Sequence, residues 1–457
     1  MMRNKLKTII ALVFAVIVSV NALAYDFEKD GIYYNINSDS TVGVTYHHKS
    51  DSVYYSDYSG EVTIPSSVTY NGTTYSVTLI DSNAFRGCTG LTSITIPNSV
   101  EILGIGALRD CTGLKEVKMG SNVKVISHYA FWGCTNLLEI SLGDNLDTID
   151  YAAFYGCSSL KNISIPNSTT FIGEYVFGEC TSLTTVIIPD NVKSIGNTAF
   201  YGCSALKEVK LGKSVTYLGR NAFHECASLT KINIPAGLTV IDTAMFYGCT
   251  SLETITIPNN IKVIKPGVFY KCENLQTVKI GNGVDTIDGG AFYGCKGLKA
   301  MWCMAELPPQ LPAFEDDDSI TYPTFNDVPA SMNLYVACKR ADAYSAADAW
   351  KNFNISEDCS ITGFEAEEDT TSDSGIEDIA ENNNISVYPN PASVSHTGIS
   401  TVTIQGIDGD VTVFNNKGQV VYKSNIQSQK SNIDISGWQS GVYYIKVGDA
   451  TKKLIIK

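Results

Sequence analysis

Histidine is scarce in this chain of 457 residues, at five. His128 and His224 fall at different places in the pattern described below, and neither has a serine or cysteine partner repeated with it. A nucleophile–base pair needs fixed mutual geometry, so hydrolytic chemistry has no support here. There is no Cys-x-x-Cys pair and no zinc-ligand spacing. No glycine-rich loop follows a strand-like run, which removes the usual phosphate cradle. Glu315, Asp316, Asp317 and Asp318 lack the alternating oxygens and glycine of a calcium loop, and fit a solvated loop. No basic face offsets the net charge of −14, so nucleic acid is not an expected partner. Apart from the first residues, no apolar run approaches the roughly 20 that a membrane helix needs, so no integral membrane segment is expected. We expect no catalytic, cofactor-binding or metal residues, and no cofactor.

What the chain has is a period. Cys88, Cys111, Cys134, Cys157, Cys180, Cys203, Cys226, Cys249, Cys272 and Cys295 are spaced 23 residues apart without a break. A leucine follows three places after each, from Leu91 to Leu298. A repeat of this length is one supersecondary unit that hides its apolar face only against its neighbours. Within a unit, Leu160 is followed by Ile163 and Ile165, and the Ile-x-Ile alternation is the period-two mark of a strand with one face inward. Pro or Gly ends that strand, and a second apolar pair such as Val192 and Ile195 fits a strand on the opposite wall. Ala-Phe-x-Gly-Cys closes the unit: the phenylalanine plugs the space between walls and the glycine permits a tight turn. Ten coils at about 4.8 Å each make a parallel sheet roughly 45–50 Å long. Its ends need covers. Asn71-Gly72 signals a tight hairpin in the first cover, and a short amphipathic helix near Ala341 to Trp350 ends the second.

Thirteen cysteines suggest disulfides wherever a chain reaches an oxidising compartment. Equivalent residues on adjacent coils, however, stand about 4.8 Å apart with parallel side-chain vectors, which a disulfide does not tolerate. The ladder therefore reads as buried, unpaired thiols acting as small apolar filler. Cys303, Cys338 and Cys359 lie outside it and leave one bridge open among them. A column of rings fills the x of Phe-x-Gly-Cys: Trp132, Tyr155, Tyr201, Tyr247, Tyr270 and Tyr293, interrupted by Gly178 and His224. Aromatics dominate interface anchors, so this is the candidate binding edge for a protein or a sugar chain. Each ring lying over the next coil's turn and sealing the edge is the plainer reading, and suits an aromatic body with a polar tip.

The flanks carry address signals. Arg3, Lys5 and Lys7, an apolar run over 9–20 and Ala22-Leu23-Ala24 make a secretory signal peptide, cleaved between Ala24 and Tyr25. A stretch rich in Ser, Thr, Asp, Glu and Asn, around 364–384, reads as a solvated linker. Beyond it, short apolar runs separated by Asp408-Gly409, Asn416-Lys417-Gly418 and Gly448-Asp449 turns read as a small β-sandwich.

The unit Ala-Phe-x-Gly-Cys-x-x-Leu-x-x-Ile-x-Ile-Pro resembles the BspA-like (Treponema-type) leucine-rich repeat, from about Ile64 to Met301. Leu108 and Asp110 in the second unit, Thr169 and Pro266 depart from it. The last domain is similar to the type IX secretion (Por-type) C-terminal sorting domain. The residues that carry this likeness are Tyr388, Pro389, Asn390 and Pro391, then Gly441 and Tyr443, then Lys453 and Lys457. The expected fold is mainly β, a leucine-rich-repeat solenoid of 23-residue coils with parallel sheets and short helical or 3-10 turns, then an Ig-like β-sandwich. The expected organisation is signal peptide 1–24, N-terminal β cap with a degenerate repeat 25–83, ten repeats 84–301, C-terminal cap 302–360, acidic linker 361–384 and sorting domain 385–457. The resemblances imply export through the periplasm of a Gram-negative bacterium by the type IX machinery, to the outer-membrane surface or the medium, with the tail usually removed there. They also imply attachment to extracellular host or bacterial surface proteins; the Trp and Tyr column offers the alternative, a glycan-binding accessory to polysaccharide capture.

Overall fold

A computed structural model describes residues 24–50, 53–55, 58–315 and 321–366, and in the C-terminal part 386–388, 401–405, 409–415, 420–426, 430–435, 438, 441–447 and 450–456. Most of the signal peptide, the bulk of the linker, residues 316–320, Pro389, Asn390, Pro391 and Lys457 lie outside the described residues. The chain divides into two compact units near residue 368.

The first unit is a parallel-sheet solenoid of about 12 turns of ~23 residues. On one wall Val117 pairs with Ile140, Val209 with Ile232 and Ile255 with Val278. On the other, Leu103 pairs with Ile126, Ile195 with Leu218 and Ile264 with Ile287. Every partner lies 23 residues on, so the sequence period is the pairing register itself. The alternating aliphatics face inward, and Leu91, Leu160 and Leu252 are fully buried.

Between the walls runs a column of phenylalanines. From Phe131 to Phe292 successive rings stand 5.0–5.8 Å apart and within 4–17° of parallel. Leu108 occupies the same position in the second unit and is equally buried. Phe325 continues the stack into the cap, 5.8 Å from Phe292, although its sequence spacing breaks the period.

The thiols do more than fill space. Each carbonyl at the phenylalanine position accepts the backbone N–H of the cysteine three residues on, at 3.1–3.3 Å. The same carbonyl accepts the S–H of the cysteine one coil further, as from Cys111 to Phe85 at 2.9 Å and from Cys203 to Phe177 at 3.0 Å. One oxygen thus ties two coils together using both of its lone pairs. All ten ladder cysteines are buried and outside any disulfide. Burial pushes the Cys134, Cys180 and Cys272 thiols up to about 12, which keeps them protonated and inert.

Two residues in every coil adopt left-handed backbone. The residue two after the phenylalanine position is Gly133 (φ 72), Gly156 (φ 73) or Gly202 (φ 68) in regular coils, and Asp110 adopts the same conformation at φ 61. The residue two before it is also left-handed, from Asn83 (φ 61) to Gly290 (φ 70), and includes Tyr129, Tyr175 and the β-branched Thr198. Thr169, an anomaly in the inner row, is buried and donates its hydroxyl to the Leu146 carbonyl at 2.9 Å.

At the start, the Ser67–Tyr70 and Thr73–Ile80 strands form the expected hairpin, with Asn71 at φ 49 and Gly72 at φ 79. At the end, Asn333–Val336 and Asn354–Glu357 extend the first wall as further parallel strands. Between them lie the Ala341–Ala346 helix and a 3-10 turn at Trp350–Asn352. Trp350 is buried and donates its indole N–H to the Pro309 carbonyl at 3.2 Å. Cys338 and Cys359 are joined in a disulfide that spans 21 residues, a closure of about 3 kcal/mol by loop entropy. Cys303 stays free and buried beneath the Tyr344 hydroxyl.

Residues 361–366, placed in the linker by the sequence, are instead strapped back onto the solenoid. Asn259 donates its backbone N–H to the Phe364 carbonyl at 2.6 Å and accepts the Phe364 N–H on Oδ1 at 2.9 Å. The Asn259 amide also reaches Glu365, at 2.8 Å, and Asn282 holds the Thr362 carbonyl at 3.0 Å.

The second unit is a β-sandwich of two antiparallel sheets. One holds the strands Ser386–Tyr388, Thr401–Gln405 and Lys430–Asp434; the other holds Val420–Ile426, Gly409–Asn415, Gly441–Val447 and Ala450–Ile456. Val411, Val413, Ile433, Tyr443 and Ile445 are buried.

Candidate binding edge

Trp132, Tyr155, Tyr201, Tyr247, Tyr270 and Tyr293 are all half-buried, each at the same place in its coil. They do not form one uniform column. His224, expected to interrupt it, is a full member: its ring lies 4.4 Å from Tyr247 and 3° from parallel. Tyr247 and Tyr270, then Tyr270 and Tyr293, continue at 4.8 Å with 6° and 11° between planes. An interior ring of such a stack has a neighbour on each face. Burial lowers the His224 pKa against the opposing charge of Glu225, so the ring stays neutral between its tyrosines.

Gly178 is a true interruption, and it has a use. A Cβ there would stand 2.7 Å from Cδ2 of Tyr155, so the Tyr155 ring occupies the space that a side chain at this position would take. Tyr155 there contacts Tyr175, at 6.3 Å and 61°. Tyr175 meets Tyr151 at 5.8 Å and 60°, and Tyr151 meets Tyr129 at 5.3 Å and 77°. Trp132 joins through Tyr129 at 5.3 Å and through Tyr155 at 4.4 Å. The Arg109 guanidinium carbon lies 5.5 Å from the Tyr129 centroid and 5.3 Å from that of Trp132, within cation–π range. His128 Nδ1 is 2.9 Å from Asp150, and its ring lies 5.9 Å from Tyr151.

Tyr129, Tyr151 and Tyr175 were not singled out from the sequence. They recur in three successive coils at intervals of 22 and 24 residues, so a search at the period of 23 passes over them. Burial raises the Tyr151 hydroxyl pKa, with Tyr129, Tyr175 and the Glu174 carboxylate adding to it. Burial and then Glu179 do the same at Tyr155.

Of the residues named for the sorting signal, Tyr388 lies on the first strand of the sandwich, Gly441 opens a strand opposite Ile456, and Lys453 pairs with Tyr444. Tyr443 is buried with its ring 4.8 Å from Trp438. Among the described residues one group has metal-ligand spacing, Cys338, Glu357 and Cys359, but its two sulfurs are spent on the disulfide. No helix among the described residues is long and apolar enough to cross a membrane.

The family model described as the BspA type leucine rich repeat region matches residues 49–184 and 170–299, more than half of the chain. The chain belongs to the BspA-type leucine-rich-repeat family. A second model, the secretion system C-terminal sorting domain, matches residues 386–457 of this BspA-type protein. Among solved structures, a leucine-rich repeat protein from Bacteroides ovatus is 27% identical, with a TM-score of 0.56 over 73% of this chain and 90% of that one. A leucine rich cell surface protein from Faecalibacterium prausnitzii is 25% identical over 60% of this chain and 93% of that one, with a TM-score of 0.34. Among curated proteins, Beta-agarase A of Zobellia galactanivorans is 32% identical over 71 residues, and the BspA-type chain spans 13% of that relative's length. The sorting domain marks the BspA-type protein for secretion through the type IX system, to the cell surface or outside. The repeat family and the Bacteroides ovatus neighbour are leucine-rich repeat proteins, and neither indicates a catalytic family.

Proposed function

We propose that this protein is a non-enzymatic, adhesin-like binding protein, exported through the periplasm and displayed on or released from the outer membrane. Its solenoid binds host or bacterial surface proteins, and its last domain serves only as the export address. One observation carries this reading: a sorting domain is joined to a rigid stack that places exposed side chains in register coil after coil. Such a stack presents a pre-ordered surface, so little conformational entropy is lost when a partner docks. Ring geometry weighs against the glycan alternative. A ring that grips a sugar needs an open face, and from His224 to Tyr293 neighbouring rings lie face to face at 4.4–4.8 Å, which supports sealing there. The test is to pass the purified full chain over immobilised fibronectin, fibrinogen, mucin and cell-wall glycan at near-physiological salt. Saturable binding to one of the proteins is the expected result. Binding to glycan alone, or to nothing, overturns the proposal.

A further inference from the structure

Most coils place Asn, Gly, Ala or Thr two residues before the phenylalanine position, where the backbone is left-handed. Two coils place tyrosine there, Tyr129 at φ 60 and Tyr175 at φ 56. A left-handed conformation costs a bulky residue roughly 1–2 kcal/mol, and strain of this kind gathers at functional sites. Both strained tyrosines serve one cluster, in which Tyr151 sits between them and Tyr155 leans across Gly178 to reach Tyr175. Tyr129, Tyr151, Tyr175 and Tyr155 meet in that order at 60–77°, although Tyr155 also stacks on Trp132 at 4.4 Å and 21°, whereas His224 to Tyr293 are near parallel throughout. Edge-to-face contacts do not consume both faces of a ring, so π surface remains for a visitor on Tyr129, Tyr151 and Tyr175, while Tyr155 is packed between Trp132 and Gly178.

The charge around the cluster indicates what that visitor is. Asp110 is paired with Arg109 at 3.3 Å, and Asp150 is held at 2.9 Å from His128 Nδ1. Glu174 accepts a hydrogen bond from Asn197 at 3.0 Å, and among the described residues neither Glu174 nor Glu179 has a cation within ion-pair distance. The charge of Glu174 helps to raise the Tyr151 hydroxyl pKa and that of Glu179 the Tyr155 one, after burial in each case. At the other end of the cluster Arg109 already lies over two of its rings, so the chain itself shows the surface accepting a guanidinium.

We propose that the tilted tyrosine cluster of Tyr129, Tyr151, Tyr155 and Tyr175, flanked by Glu174 and Glu179, docks an arginine- or lysine-bearing segment of a partner protein. The cation lies over ring faces and the carboxylates hold it there by charge-assisted hydrogen bonds. Tyr, Trp and Arg are the side chains that anchor protein interfaces, and the site presupposes the binding role proposed above.

The experiment titrates the full chain with an acetylated peptide carrying Arg and Lys, and with its counterpart carrying citrulline and norleucine, at near-physiological salt. The basic peptide binds saturably and its neutral counterpart binds about tenfold more weakly or not at all. Tyr175→Asn and Glu174→Gln each weaken the basic peptide about five- to tenfold, while Asp285→Asn, an equal change of charge elsewhere, leaves it unchanged. Tyr175→Asn melts no lower than the parent, because asparagine relieves the left-handed strain; a binding loss in that variant is then not a loss of fold. Equal affinity for the neutral peptide, unchanged binding in both variants, or saturable binding of a neutral oligosaccharide in place of the basic peptide overturns the site. If the chain binds a matrix protein and Tyr175→Asn binds it equally, the cluster is refuted and the adhesin reading survives. If the basic peptide behaves as expected and no matrix protein binds, the reading fails and the site stands.

Discussion

Between His224 and Tyr293 the rings on the edge of this solenoid lie within 11° of parallel, while Tyr129, Tyr151 and Tyr175 meet at 60–77°. Both stretches use the same fold and the same residue type, in neighbouring coils. The difference comes from small substitutions. Where each coil supplies one ring at the same register, the rings stack and close the edge. Where Gly178 removes one ring and left-handed tyrosines add others, the stack cannot continue and the rings turn against one another. Aromatic count alone therefore does not distinguish a seal from a contact surface; ring orientation does.

The comparison has an internal standard in the phenylalanine column, which is wholly buried. Phe246→Ala should produce the largest loss, about 3–5 kcal/mol by chemical denaturation, because the ring packs between Phe223 and Phe269. A cost below about 1 kcal/mol would mean the stack contributes little. Tyr270→Ala, in the parallel edge, should cost about 1–2 kcal/mol by losing two stacked partners, with no change in ligand affinity; lost affinity with unchanged stability would reverse the roles assigned to the two stretches. Gly178→Tyr should rebuild the parallel column, drive the Tyr155 ring out of its present place and abolish binding at the tilted cluster, seen as altered tyrosine ring signals by NMR. Retained binding would show that the interruption is incidental.

Smaller effects refine the picture. Thr198→Asn removes a β-branched residue from a left-handed site at φ 59 outside the cluster. It should stabilise by about 0.5–1 kcal/mol without touching affinity, so it separates relief of strain from loss of contact. The smallest effect concerns acid. Burial, opposed by Glu225, holds His224 below the ordinary histidine range, so the unfolded chain binds a proton before the folded one does. Its contribution is fully present above the unfolded value near 6.5 and declines as pH falls from there through the lowered folded value. In His224→Tyr, the drop in melting temperature between about pH 7.5 and 5.5 should shrink; an identical drop would place the acid sensitivity elsewhere.

Much of this architecture was legible in the residues. The interval of 23 is the strand register, the Ile-x-Ile alternation is the inward face, and Asn71-Gly72 is the hairpin turn. These signals are local or strictly periodic. What escaped was neither. The cysteine-to-carbonyl bond spans 26 residues, one coil plus the turn, and becomes visible only once the coils are stacked. Phe325 continues its column at a spacing outside the period. Tyr151 stands one residue out of the register that Tyr129 and Tyr175 share, and the left-handed backbone of those two leaves no compositional trace because the residue is not glycine. The strap meets Asn259 across 105 residues with no local pattern to announce it.

That strap decides where mechanical load enters the molecule. Force applied to the chain beyond residue 366 arrives at Asn259 and Asn282, on the flank of the solenoid, before it reaches the last strand at Asn354–Glu357. Several amide bonds share the tug sideways, and the Cys338–Cys359 link stands behind them as a covalent stop. A tail hauled by export machinery or held at a cell surface would peel off a short ribbon first and leave the terminal coils wound.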